Sequence, residues 1–238
     1  MVPIVEYSEA STEEKEQGGK RRRNCLWKEF RLCTVSTPNE EQTHYGVTRG
    51  TPFEAGCMMY QTCQQKGMSL DTKIHGVADG APWIAEQYEA QFGDQHDFLL
   101  DFYHASEYLA EASKDLSGDL LLRKSWLKRK QNQLKEGKAL EAIKELKVLS
   151  AQAPEESPIA VAAQYLSNRK EQLNYQDALV KSLPIGSGEV ESGHRSVLQS
   201  RLKKPGAWWS IENAQSMAQL KVLQANRMWN SFWATLPA

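Results

Sequence analysis

The chain has no aspartate before Asp71, no apolar run of about eighteen residues, and only four cysteines in 238 positions. Each scarcity excludes something. Without a long apolar run, no membrane-spanning helix is expected. Cys25, Cys33, Cys57 and Cys63 form no Cys-x-x-Cys pair and have no histidines at zinc-finger spacing. Neither a thiol redox motif nor a structural zinc site is expected, and the thiols read as small buried apolar groups. The opening MVPIVEYSEASTEEKE lacks a basic stretch followed by an apolar core, so no secretory leader is expected and the cytoplasm is the expected location. A net charge of −1 leaves no global basicity, but the charge is uneven: residues 1–104 carry −6 and residues 181–238 carry +4. That asymmetry is compatible with phosphate contact at one end and cation binding at the other.

What is present alternates between strand and helix signals. Residues 8–24 are polar, contain Gly18–Gly19, and read as a mobile loop. Its basic run Lys20, Arg21, Arg22 and Arg23 either meets phosphates or is a solvated loop. WKEFRLCTVST (27–37) and THYGVTRGT (43–51) predict a β-hairpin turning at PNEEQ. FEAGCMMYQTCQQKG (53–67) sets Phe53, Cys57, Tyr60 and Cys63 on one helical stripe, with Gly67 as the stop. TKIHGVADGAPWIAEQYEAQFG (72–93) reads strand, sharp turn, helix, with Pro82 suited to a first helical turn. HDFLLDFYH (96–104) is dense enough for a buried strand parallel to it, joined by the crossover helix.

From Ala105 to about Leu183 the chain is rich in Leu, Ala, Lys, Glu and Gln, with breaks at Gly118, Glu136–Gly137 and Pro154–Pro158, predicting three to four helices near 103–134, 138–152 and 157–181. Within them LKRKQNQLK (127–135) is either a basic binding face or a solvated surface. Pro184-Ile185-Gly186-Ser187-Gly188 opens a helix running to about Lys204. A last helix is capped by Ser210, and the aromatic RMWNSFWATL (227–236) is expected to pack back on the domain.

Two carboxylates stand out by position. Asp79 closes a predicted parallel strand, where open α/β sheets gather ligands, although helix capping explains it equally. Glu191 sits in the first turn of the helix opened by IGSGEVES, where the helix dipole favours an acid regardless of function. Glu189 occupies the same turn but points elsewhere, and the apolar stripe through Val190 and His194 lies closer to Glu191.

Three blocks carry a resemblance. Ala78 to Ile84 (ADGAPWI), Asp101 to Ala105 (DFYHA) and the stretch from Ile185 through IGSGEVES, Arg201-Leu202-Lys203, the Gly206–Ser210 block and Arg227 to Trp233 are similar, in order, to a bacterial insertion-sequence transposase family of the Kra type. The likeness covers nearly the whole chain. It implies an α/β, RNase H-like mixed sheet with flanking helices and a mainly helical insertion. In that plan residues 1–104 are the front of the catalytic domain, 105–183 the insertion, and 184–238 the C-terminal helices. It implies DDE chemistry: DNA cleavage and strand transfer with Mg²⁺ or Mn²⁺ ions about 3.5–4 Å apart, held by convergent carboxylates.

Residue by residue, Asp79 resembles the family's second catalytic aspartate and Glu191 its glutamate. Asp101 and His104 resemble a short signature of related Mutator-like transposases and are assigned to supporting the active site, or to a structural hydrogen bond. Arg195, Arg201, Lys203 and Lys204 are the expected phosphate contacts. Trp209, at a family position, either stacks on an unpaired base or pins two helices. The expected partners are transposon ends and target DNA, with a homodimer on DNA by analogy, near the nucleoid and away from membranes. The pattern departs at one place: the family's first aspartate lies in an Asp-Gly pair just before a segment like Met1-Val2-Pro3-Ile4. Glu6 is the nearest acid here, after that position. The chain is thus expected to be N-terminally truncated and impaired, or a catalytically inactive remnant that only binds DNA.

Overall fold

The computed structural model describes residues 1–8, 22–38 and 40–235. Lys20 and Arg21 of the basic run, most of the expected loop 8–24, and Asn39 of the expected hairpin turn lie outside the described residues. The chain is mixed α/β, and its described strands pair two by two. It divides into two compact units, residues 1–70 with 188–238, and residues 71–187.

The first unit begins with β1 (Val2–Ser8) and β2 (Arg22–Lys28), antiparallel with Ile4 opposite Leu26 and Tyr7 opposite Arg23. Ser8 and residues 22–24, expected as loop, are strand instead, because cross-strand pairing recruits polar residues. β3 (Arg31–Val35) and β4 (His44–Thr48) form the second antiparallel pair. Then comes α1 (Pro52–Gln65), started by a reciprocal cap in which Thr51 and Glu54 satisfy each other's backbone. Its buried stripe is Ala55, Gly56, Thr62 and Cys63, while Phe53 is exposed, so the helix is turned from the expected Phe53–Cys57–Tyr60–Cys63 face. The reason is close packing: a Cβ on Gly46 of β4 would come within 2.2 Å of the Met58 sulfur and 2.4 Å of the Thr62 hydroxyl. The unit resumes with α8 (Gly188–Gly193), a π-helical segment (His194–Gln199) and α9 (Ser200–Leu202), one continuous helical run. It ends with α10 (Ile211–Ala225), capped by Ser210 as expected, and α11 (Trp229–Ala234). Val2, Ile4, Phe30, Leu32, Val47, Val197, Leu198, Leu202, Ala214 and Ala218 form its core. The terminal aromatics depart from the expected packing: Trp229 and Trp233 remain exposed and meet chiefly each other and Phe232.

The second unit holds the parallel pair β5 (Ile74–Ala78) and β6 (His96–Leu100), joined through α2 (Pro82–Phe92). Five further helices follow: α3 (Phe102–Ala112), α4 (Leu120–Lys135), α5 (Ala139–Ser150), α6 (Pro158–Asn168) and α7 (Tyr175–Val180). The strand expected over 96–104 stops at Leu100, since Asp101 caps α3 and turns the chain. The break expected at Gly118 separates α3 from α4, whereas the helix expected over 157–181 is interrupted near Leu173. One core runs from Leu99 and Leu100 through Leu109, Leu134, Leu146 and Leu166 to Tyr175. Strand residues and helical residues share it, so residues 71–104 group with the helices rather than with the front of the chain.

The 127–135 stretch is not a plain solvated face. Lys130 is fully buried, and its ammonium donates to Gln133 at 3.0 Å and to the Glu145 carboxylate. Glu145 also accepts from Arg129 at 2.9 Å and Gln133 at 2.8 Å. Burial outweighs pairing at Lys130 and pulls its ionisation below the ordinary lysine value. At Glu145 the bond from Lys130, then that from Gln133, brings the carboxyl down to about 2. Removing one partner of such a pair leaves an uncompensated buried charge, whereas removing the charge itself does not. Glu145→Ala should therefore lower stability by about 3 kcal/mol, and Lys130→Met by less than about 1 kcal/mol, in urea unfolding at neutral pH. Because the folded pKa of Glu145 is depressed, its contribution is complete above the ordinary value of 4.5 and should fade as the pH falls toward about 2.

Candidate functional site

In the second unit Asp79 follows β5 directly, at the C-terminal end of the parallel pair. It is not the helix cap, which is Ala81. Its Oδ1 instead accepts from the Ala81 amide at 3.1 Å, an Asx turn, and the residue is exposed. Gly80 has φ +78, and a Cβ there would lie 2.4 Å from a Leu100 methyl and 2.9 Å from Arg169 Nε. The turn is held from outside by α6. Tyr165 donates its hydroxyl to the Asp79 carbonyl at 2.9 Å, and Arg169 donates Nε to the Gly80 carbonyl at 2.9 Å. The Arg169 guanidinium lies 3.9 Å from the Tyr165 ring centre, and Tyr165 stacks on Tyr108 at 3.7 Å and 10°. Burial, against the pull of Arg169, pushes the Tyr165 phenol up to about 12, so it remains a donor. Asp79 therefore has a rigid backbone and an exposed carboxylate.

Asp101 behaves in the opposite way. Its side chain is buried and fully engaged: Oδ1 accepts from the Tyr103 amide at 2.6 Å and the His104 amide at 3.1 Å, while Oδ2 accepts from the Ser187 amide at 2.7 Å and hydroxyl at 2.5 Å. Its own amide donates to the Ala78 carbonyl at 2.7 Å, and Phe102 N–H donates to the Ile185 carbonyl at 2.8 Å. Burial pushes the carboxyl up, but the bonds from Ser187, His104 and Tyr103 outweigh it and hold it below the usual aspartate value. His104 is aimed elsewhere, its Nδ1 3.5 Å from Glu107 and its ring against Tyr108. The two residues of the sequence signature thus meet through the His104 amide on the Asp101 carboxylate, while the His104 ring is engaged elsewhere.

In the first unit Glu191 lies on α8, exposed, 3.5 Å from Arg195 one turn on. Glu189 accepts from the Ser36 hydroxyl at 3.2 Å. The π-helical segment begins two residues after the Ser192 whose carbonyl takes the Ser196 hydroxyl at 2.8 Å; π segments recur at functional sites. His194, half-buried in it, is pulled below the ordinary histidine value, first by burial and then by the chain's amino group and Lys203. Of the expected phosphate contacts, Lys203 and Lys204 are exposed, Arg195 is ion-paired, and Arg201 lies 4.8 Å from the Trp209 ring centre. Trp209 is half-buried against the core, and its Nε1 donates to the Leu202 carbonyl at 3.2 Å.

Sequence reasoning missed the Ser187 clamp, the Tyr108–Tyr165–Arg169 stack and the π segment. The i, i+4 spacing of Tyr165 and Arg169 is a visible signal; the rest depend on contacts distant in sequence. Comparison with family models, with curated proteins and with solved structures gave no match to this chain.

Asp101→Asn keeps one acceptor but turns the other into a donor facing Ser187. It should cost about 2 kcal/mol in chemical denaturation and make the Ser187 amide exchange fast with deuterium. Gly80→Ala should cost at least as much, since the left-handed backbone and the Leu100 and Arg169 contacts leave no room.

Proposed function

We propose that the chain is the catalytic part of a DDE-type bacterial insertion-sequence transposase with an RNase H-like fold. On this reading it cuts and joins DNA with Mg²⁺ or Mn²⁺, and Asp79 and Glu191 are two of its metal-binding acids. The observation that carries it is the Asp79 turn: an exposed carboxylate on a braced backbone at the C-terminal end of a parallel strand, where α/β sheets bind ligands. Asp101 then acts as a positioning residue, since all its lone pairs in reach are taken.

On this reading Asp79 and Glu191 are two donors of a larger set. Among the described residues, no three His, Cys, Asp or Glu side chains are grouped to hold a metal. Mg²⁺ relies on a few converging carboxylates, and Asp79 with Glu191 alone leaves that set short. The same observation favours a second reading, a non-catalytic DNA-binding protein that keeps the fold.

The test is plasmid nicking in Mn²⁺ by a chain carrying an Asp-Gly pair a few residues before Met1, where the resemblance puts the family's first aspartate. Nicking should appear, and Asp79→Ala or Glu191→Ala should each reduce it by about a hundredfold or more. Equal nicking by either variant removes that residue from the site. DNA binding with no nicking by the extended chain supports the second reading.

A further inference from the structure

The β1–β2 hairpin carries an aromatic face that the catalytic reading does not use. Residues alternate faces along a strand. Ile4 is fully buried on the inner face, so Pro3, Val5 and Tyr7, with their partners Trp27, Cys25 and Arg23, belong to the other. The chain adds a short third rung alongside β1: Val5 N–H donates to the Trp209 carbonyl at 2.8 Å, and Trp209 N–H donates to the Pro3 carbonyl at 3.3 Å, with Ile4 bridged to Trp209. Trp209 therefore shares the inner face with Ile4 and packs on the core, and its neighbour Trp208 emerges on the outer one. There Trp208 lies 6.4 Å from Trp27, and the Arg23 guanidinium sits 5.4 Å from the Trp208 ring centre. Trp27 is 57% exposed, Trp208 37% and Tyr7 60%.

Three large rings in water on one small sheet would normally be buried by something. The charges indicate what. Arg23 is on the face itself, and exposed Lys203 and Lys204 lie in the turn leading to Trp208. Glu6 belongs to the opposite face and is 3.7 Å from Lys28, and Glu29 is held by Arg31 at 3.1 Å. Aromatic planes beside cations, with the nearby acids among the described residues turned away or paired, match a strand with unpaired bases and a phosphate backbone. A duplex hides its base faces and would use only the cations.

We propose that this outer face, built from Trp27, Trp208, Tyr7 and Arg23, binds single-stranded nucleic acid by base stacking. The face includes neither Asp79 nor Glu191 and does not require the chain to be an enzyme.

The experiment is fluorescence anisotropy in EDTA, which excludes metal-dependent cleavage, with a labelled oligothymidylate of about twenty nucleotides and a duplex of equal length. The parent chain should bind the single strand more tightly than the duplex. Trp27→Ala and Trp208→Ala should each weaken single-strand binding about tenfold, whereas Trp27→Phe, which keeps a ring, should stay within about threefold. Trp233→Ala, an exposed ring on α11, serves as the control and should bind as the parent does, and matching thermal melts establish that each variant is folded. Unchanged binding by a folded Trp27→Ala/Trp208→Ala double variant overturns the proposal. So does a preference for duplex, or a dimer in sedimentation velocity that those two substitutions dissociate, which would assign the face to a second copy of the chain.

Discussion

The second unit depends on one buried negative charge. A carboxylate taken out of water must replace its hydration with hydrogen bonds or take up a proton and become neutral. Asp101 meets that demand with four donors drawn from two places, the first turn of α3 and the Ser187 segment. Its backbone amide adds a third place by holding Ala78, the residue before Asp79. A strand end, a helix start and a Gly-Ser loop distant in sequence are therefore tied at one residue. Each tie is directional, so the loop cannot slide without leaving a buried oxygen unpaired.

That arrangement separates two aspartates which look alike in the sequence. Asp101 is consumed by structure, and its lowered ionisation expresses how well it is solvated by protein. Asp79 keeps an exposed carboxylate, while its backbone is fixed by Tyr165 and Arg169. A ligand-binding acid benefits from such a division, because a rigid backbone limits the entropy lost on binding and an exposed head group held by a single amide has little to give up. Tyr108 and Tyr165 lend rigidity by stacking, and Arg169 joins the stack through its guanidinium face.

What can be read in the sequence is governed by local physics. The β5–α2–β6 unit is legible because apolar strand residues, a turn glycine and Pro82 each act on their immediate neighbours. The cap at Ser210 and the breaks at Gly118 and Gly137 are legible for the same reason. The β1–β2 pairing is hidden, since its charged residues look like loop and only partners across the hairpin make them strand. Asp101 reads as strand because Phe98 to Phe102 is continuously apolar apart from it, and its capping role emerges only once the chain has turned. The orientation of α1 is set by Gly46, whose missing side chain admits Met58 and Thr62, and no periodicity within the helix reports that.

The two tryptophans at 208 and 209 carry the same lesson into function. As residue types they are interchangeable, and a sequence pattern singles out Trp209. The short pairing with β1 makes the backbone extended there, and extended backbone sends consecutive side chains to opposite faces. Trp209 must then go inward, where its ring joins the core and its N–H finds the Leu202 carbonyl. Arg201 covers its remaining face, so that guanidinium is also partly committed to structure. Whatever the partner of the outer face, stacking there falls to Trp208 and Trp27, because a ring already packed on both sides has no face left to offer.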